Sequence, residues 1–168
     1  MSEELVDRVR ELLGDAVIDS HAALGDATVL VEADRVVEVL RTLRDSELRF
    51  NFLMDLTAVD YLGREPRFEV VYHLAAVETE PHGTEPARVP HRLRVKAGVP
   101  ENPCEIASAV EVYPAANWME REAWDLYGVA FRGHPDLKRI LLYEQFEGHP
   151  LRKDYPKERR QPLIGPRN

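Results

Sequence analysis

Phe68-Glu-Val-Val-Tyr-His-Leu-Ala-Ala-Val77 and Val89-Pro-His-Arg-Leu-Arg-Val-Lys-Ala97 decide the fold. In the first, Phe68, Val70, Tyr72, Leu74 and Ala76 recur at every second position; in the second, Val89, Leu93, Val95 and Ala97 do so, with His91 in phase. A period of two belongs to a strand with one face in a core. Pro90, Arg92, Arg94 and Lys96 fall between the inward residues, so that strand has a basic, solvated outer face. Phe50, Phe52, Met54 and Leu56 alternate in the same way. Three antiparallel strands are expected, with the Pro-, Glu- and Gly-rich link Glu78–Arg88 as an exposed hairpin loop.

Toward the N-terminus the period changes. Leu5, Val9, Leu12 and Leu13 recur at helical spacing between Ser2 and Gly14, a good start and a good stop. Val17–Ser20 and Ala27–Glu32 read as two strands around a turn. Asp34 is placed to cap a second helix with Val36, Val37, Leu40 and Leu43 on one face, ending near Ser46.

Toward the C-terminus, Asn102-Pro103-Cys104-Glu105, followed by Ile106, Ala109 and Val110, has the form of a helix start. Ala115–Tyr127 predicts a further helix closed by Gly128. Beyond it the chain is polar and punctuated by proline and glycine, with only Leu137–Tyr143 looking regular. The expectation is an α+β fold: a two-layer domain over residues 1–128 with helices on a mixed, mostly antiparallel sheet, then a C-terminal helix and an extended arm, residues 129–168.

Composition bounds the function. The 168 residues, 44% hydrophobic and 31% charged, with mean hydropathy −0.38, describe a globular chain. A net charge of −8 argues against nucleic acid or anionic lipid as a general partner. The charge is uneven: residues 131–168 hold 9 bases and 5 acids, a basic arm on an acidic body. The single cysteine, Cys104, excludes an internal disulfide or an all-thiolate cluster from this chain alone and reads as a small semi-buried hydrophobe. Uncharged stretches are far short of the ~20 residues of a membrane helix, and Met-Ser-Glu-Glu is unlike a signal peptide, so direct membrane insertion is not expected. No Gly-x-Ser-x-Gly, Gly-x-Gly-x-x-Gly or Walker loop is present.

The densest charge pattern lies on the helix Ala115–Tyr127. Helical geometry puts Trp118, Arg121, Glu122 and Asp125 on one face and Ala116, Met119, Ala123 and Leu126 on another. The first face is expected to be solvated, with an Arg121–Asp125 pair at i,i+4, and Trp118 and Trp124 beside the charges suggest an interface. Gly133-His134-Pro135 and Gly148-His149-Pro150 read as sharp turns whose imidazoles bond neighbouring backbone. A metal hydrolase using His134 and His149 is the competing reading, though no metal-ligand spacing is present among the six histidines.

The stretch from Asn117 to Leu141, continuing from Phe146 to Pro156, closely resembles the signature of the 30 kDa subunit family of respiratory complex I, the C-type subunits of NADH:quinone oxidoreductase. The pattern stands here as Glu120, Arg121, Glu122, Asp125, Gly128, Phe131, Gly133, His134, Pro135, Leu137, Arg139, Ile140 and Leu141, followed by Gly148-His-Pro-Leu-Arg-Lys-Asp-Tyr-Pro156. Lys138 and Tyr127 stand where arginine and phenylalanine are common. The resemblance implies a cofactor-free member of the peripheral arm, with FMN and iron–sulfur clusters in partner subunits. It would lie against the D-type subunit, the relative of the hydrogenase large subunit, on the cytoplasmic side of the membrane. With that resemblance, Arg121, Glu122 and Asp125 are expected to form fixed hydrogen-bonded pairs with Arg139, Arg152, Lys153 and Asp154 that hold the arm to the body and to the D-type subunit, and Trp118, Glu120, His134 and His149 are expected at partner contacts as well. Related membrane-bound hydrogenases and ferredoxin-fed quinone reductases carry the same signature.

Overall fold

The computed structural model describes residues 2–78 and 88–162. The elements run in the order α1 (Ser2–Leu13), β1 (Val17–His21), β2 (Thr28–Val31), α2 (Val36–Asp45), β3 (Phe52–Asp60), β4 (Phe68–Glu78), β5 (Arg88–Val99), β6 (Glu105–Ala107), α3 (Ala116–Tyr127) and β7 (Ala130–Arg132). Five strands form one sheet in the order β1-β2-β5-β4-β3, antiparallel except where β2 meets β5. The expected α+β architecture, helices on a mixed, mostly antiparallel sheet, is the one observed. The loop expected between residues 78 and 88 falls on 79–87, outside the described residues.

The alternation of β4 and β5 sets the core. Phe68, Val70, Tyr72, Leu74 and Ala76 are buried beside Leu93, Val95, Ala97 and Val99, and α1 and α2 pack Leu5, Val9, Val36, Leu40 and Leu43 into the same cluster. Arg92, Arg94 and Lys96 occupy the alternate positions of β5 and remain at least partly accessible, as the pattern requires.

Four local expectations are overturned. In β3 the alternation breaks at a bulge between Leu53 and Asp55, so Leu53, Leu56 and Ala58 point inward while Phe52 and Met54 are 53% and 40% exposed. The extra residue shifts the phase that a uniform pleat would keep. Asp34 caps nothing: it sits in a 3₁₀ turn, Ala33–Arg35, and α2 starts without a side-chain cap, with Val39 buried beside Leu40. Glu105–Ala107 is not a helix but a strand paired in parallel with Ala130–Arg132, and that long-range ladder outweighs the local capping signal. Leu137–Tyr143 forms no regular element.

The helix α3 is correct in extent, and Gly128 closes it in the left-handed region at φ 76°, its N–H donating to the Trp124 carbonyl at 2.8 Å. Its facing is a correction. Glu120 and Asp125 are both 0% exposed and point inward with Ala116 and Ala123, while Trp118 is 64% exposed.

Candidate functional site

Two carboxylates attach the C-terminal arm to the body. Asp125 Oδ2 accepts three successive backbone N–H groups, from Ile140 (3.0 Å), Leu141 (2.9 Å) and Leu142 (2.9 Å), and Oδ1 accepts Arg139 Nη1 at 2.6 Å. Such a run of amides is an anion-binding concavity, here filled by the protein's own side chain. Burial alone would push this carboxyl up, but the amides and Arg139 outweigh it and hold it below the ordinary range. The same guanidinium donates onward to the carbonyls of Phe146 (2.8 Å) and Gly148 (3.1 Å) and lies 5.7 Å from the Trp124 and Phe146 rings.

The second junction centres on Arg67, 3% exposed. It makes two-pronged contacts to Asp60 (3.0 and 2.9 Å) and to Asp154 of the arm (3.1 and 2.8 Å), and a 2.6 Å bond to Glu101. Only arginine has the planar fork to serve three carboxylates in this way. Asp60 Oδ2 also accepts the Lys153 backbone N–H at 2.8 Å. The Arg67 bonds hold Asp60 and Asp154 below the usual carboxylate range.

Backbone contacts complete the seat. Arg121 donates to the carbonyls of Lys138 (3.1 Å) and Arg139 (3.0 Å), and Arg152 to that of Tyr127 (2.5 Å). His134 Nδ1 accepts the Asp136 N–H at 3.0 Å, which leaves Nε2 as the donor to the Asn117 carbonyl, also 3.0 Å away. His149 Nδ1 meets the Asp125 carbonyl at 3.0 Å. A Cβ on Gly128 would lie 2.5 Å from the His149 ring and 2.7 Å from Arg152, so glycine is required for close approach as well as for φ.

Glu120 is a third buried carboxylate, with Oε2 accepting Ser108 Oγ and Oε1 accepting the Ala109 N–H, both at 2.6 Å. Burial pushes it up to about 7, against two hydrogen bonds that pull the other way. The Tyr72 hydroxyl, fully buried in the same core, finds no hydrogen-bond partner among the described residues.

The structure thus brings together Asp125 with Arg139, and Arg121, His134, His149 and Arg152 with backbone across the junction. The i,i+4 Arg121–Asp125 pair does not form, because Arg139 and the arm amides take the carboxylate. Glu120 and Asp125, expected at a partner contact, do not reach the surface of this chain. Lys153 contributes its backbone, while its side chain and those of Glu122 and Trp118 are exposed. Sequence reasoning missed Arg67, Asp60 and Glu101. A signal existed for Asp60, which continues the inward phase of Leu56 and Ala58.

Among the described residues no group of three His, Cys, Asp or Glu side chains is placed to hold a metal ion, and no helix is long and apolar enough to cross a membrane. Cys104 is partly buried, and that burial pushes its thiol up.

Comparison with known proteins places this geometry in a family. Residues 29–161 match the profile described as respiratory-chain NADH dehydrogenase, 30 Kd subunit. The C-type subunit of NADH-quinone oxidoreductase from Citrifermentans bemidjiense is 46% identical over 151 residues, covering 90% of this chain and 87% of that protein. Its counterpart from a Roseiflexus species is 48% identical over 153 residues, covering 90% and 82%. Among solved structures, the trypsin-resistant fragment 1–134 of Nqo5 superposes with a TM-score of 0.63 at 32% identity, covering 82% of this chain and all of that one. A chain of the archaeal membrane-bound sulfane sulfur reductase gives a TM-score of 0.69 at 26% identity, covering 93% and 86%. The profile match over most of the length, together with relatives nearly half identical along nine-tenths of it, shows that the chain belongs to the 30 kDa subunit family of respiratory NADH dehydrogenase, the NADH-quinone oxidoreductases of complex I.

Proposed function

We propose that the chain is a cofactor-free scaffold of the peripheral arm of NADH:quinone oxidoreductase, on the cytoplasmic side of the membrane, binding the D-type subunit and presenting its C-terminal arm to neighbouring subunits. The observation that carries this reading is the seated arm. A segment with no helix and only the three-residue β7 among its described residues is held by a largely buried ion pair to α3 and by a pair between buried Arg67 of the β3–β4 hairpin and half-exposed Asp154, while exposing Leu141 and Leu151, and Trp118 of α3 is exposed as well. Ion pairs in that setting fix geometry more than they add stability, and a fixed, partly apolar surface is what a docking partner needs. Electron transfer from NADH through FMN and iron–sulfur clusters to quinone belongs to the other subunits of the complex.

The test is co-purification of the tagged chain from its native cells. A homologue of the hydrogenase large subunit together with cluster-bearing companions is the supporting result. In the same cells Arg139→Ala should lower the amount of assembled arm in proportion to the lost quinone reduction; normal assembly with lost reduction argues against the scaffold. The structural likeness to a sulfane sulfur reductase chain supports a second reading, an equivalent subunit of a related hydrogenase or ferredoxin-fed complex. An NADH-binding flavoprotein among the companions decides between them.

A further inference from the structure

The seated arm leaves the far side of the sheet unexplained. There β5 presents Arg92, Arg94 and Lys96, and β3 presents Phe52, on the face opposite the buried residues of the same strands. Where β5 runs past the start of β2, a cleft of about 530 Å³ lies between the first turns of α1, the Gly25–Ala27 turn and the strands β4 and β5. Its floor is closed by the buried core residues Leu5, Leu74 and Leu93, and the apolar side chain it exposes is Met54 of the β3 bulge, at 40%.

The polar lining is cationic. Arg94 is committed to Asp26 at 3.2 Å and to Thr28 at 3.3 Å. Arg8 and Arg92 also line the cleft, both are exposed, and among the described residues neither has a carboxylate within 4 Å; Glu4 is the remaining acid in the lining. His73, opposite Arg94 on the neighbouring strand, also lines the cleft, with burial and Arg94 keeping it below its ordinary value. On a chain of net charge −8, two exposed guanidiniums without an ion pair among the described residues, beside the exposed Met54, make a local cationic and partly apolar patch. The apolar strip continues past Met54 to Phe52, which is 53% exposed, so the surface is longer than a small anion would fill.

We propose that this surface receives an acidic segment of a neighbouring subunit, with carboxylates on Arg8 and Arg92 and an apolar side chain against Met54 and Phe52. The inference rests on the reading that the chain works inside a multisubunit complex, and it adds a docking surface separate from the arm. Opposite charge steers the segment in, and the apolar anchor holds it.

The experiment places a photo-cross-linking amino acid at Met54 in one version of the full chain and at Trp118 in another, each with and without Arg8→Glu and Arg92→Glu, in cells that assemble the complex. The expected result is a Met54 cross-link to an acidic stretch of another subunit, weakened about tenfold by the double charge reversal, as expected when two charge contacts become repulsive. Trp118 cross-links should be unchanged. A Met54 cross-link to a second copy of this chain, to lipid or to a stretch without excess acids overturns the proposal. So does silence at Met54 in a complex where Trp118 still cross-links, or a Met54 yield indifferent to charge reversal. Silence at both positions with no companions retained removes the scaffold reading itself, and this inference with it.

Discussion

Glu120→Gln isolates one buried charge. The carboxyl titrates near 4.5 in an unfolded chain and at about 7 in the fold, so between those values the folded state holds a proton that the unfolded state has lost. Its contribution to stability is therefore full below the lower value and declines as pH rises through the upper one. At ~1.4 kcal/mol per tenfold change in proton affinity, the difference amounts to about 3 kcal/mol. Glutamine keeps an acceptor for the Ala109 N–H, and its amide can donate to Ser108 Oγ, so the geometry survives while the titration does not. Denaturant unfolding of both proteins between about pH 5 and pH 8 measures the effect. His73 and His149, both held below their ordinary value by burial, tilt the same window the other way, but they do so in both proteins, so the difference between the two curves reports Glu120. The variant should gain on the parent as pH rises, by about 2–3 kcal/mol across the range. Parallel curves would refute the assignment of a raised carboxyl, and so would a parent that gains on the variant.

Asp125→Ala leaves Arg139 and three amides without their acceptor and should cost about 3–5 kcal/mol, read as a lowered unfolding midpoint and as proteolytic cleavage beginning beyond β7, after Arg132. Gly128→Ala should release the arm with the body intact, because the added methyl enters the His149 ring; a variant whose arm resists protease like the parent's would contradict the close approach. Acid acts at the same junctions. Asp60 and Asp154 are held below 3.8 by Arg67, and Asp125 below it by its amides and Arg139 against the effect of burial. Their contribution is present above that value and lost as pH falls through the folded ones, so stepwise acidification below about pH 4 should expose the arm to pepsin.

The two strands at the centre of the sheet were legible because each carries its own evidence: five inward residues at strict alternation in β4, four in β5. Where structure depends on a distant partner the local pattern misleads. Glu105–Ala107 follows a good capping sequence, yet its backbone is completed by Ala130–Arg132, beyond any window in which periodicity is read. In β3 one inserted residue inverted the expected facing of Phe52 and Met54. The α3 charges show the same blindness at the candidate site. A helical wheel equates charge with solvent, whereas the partners of Asp125 arrive from residues 139–142. The Gly-His-Pro turns were readable because glycine and proline act on their own backbone, and Gly133 and Gly148 indeed adopt φ of 84° and 89°.

Arg67 gathers Asp60 from its own hairpin, Glu101 from beyond β5, and Asp154 from a point 87 residues further along the chain. The site that Asp154 occupies is built from that hairpin and from the turn after β5. The fork therefore makes the tail's berth a joint property of three distant parts of the chain: a defect in the hairpin, in the turn after β5 or in the tail is felt at the same guanidinium.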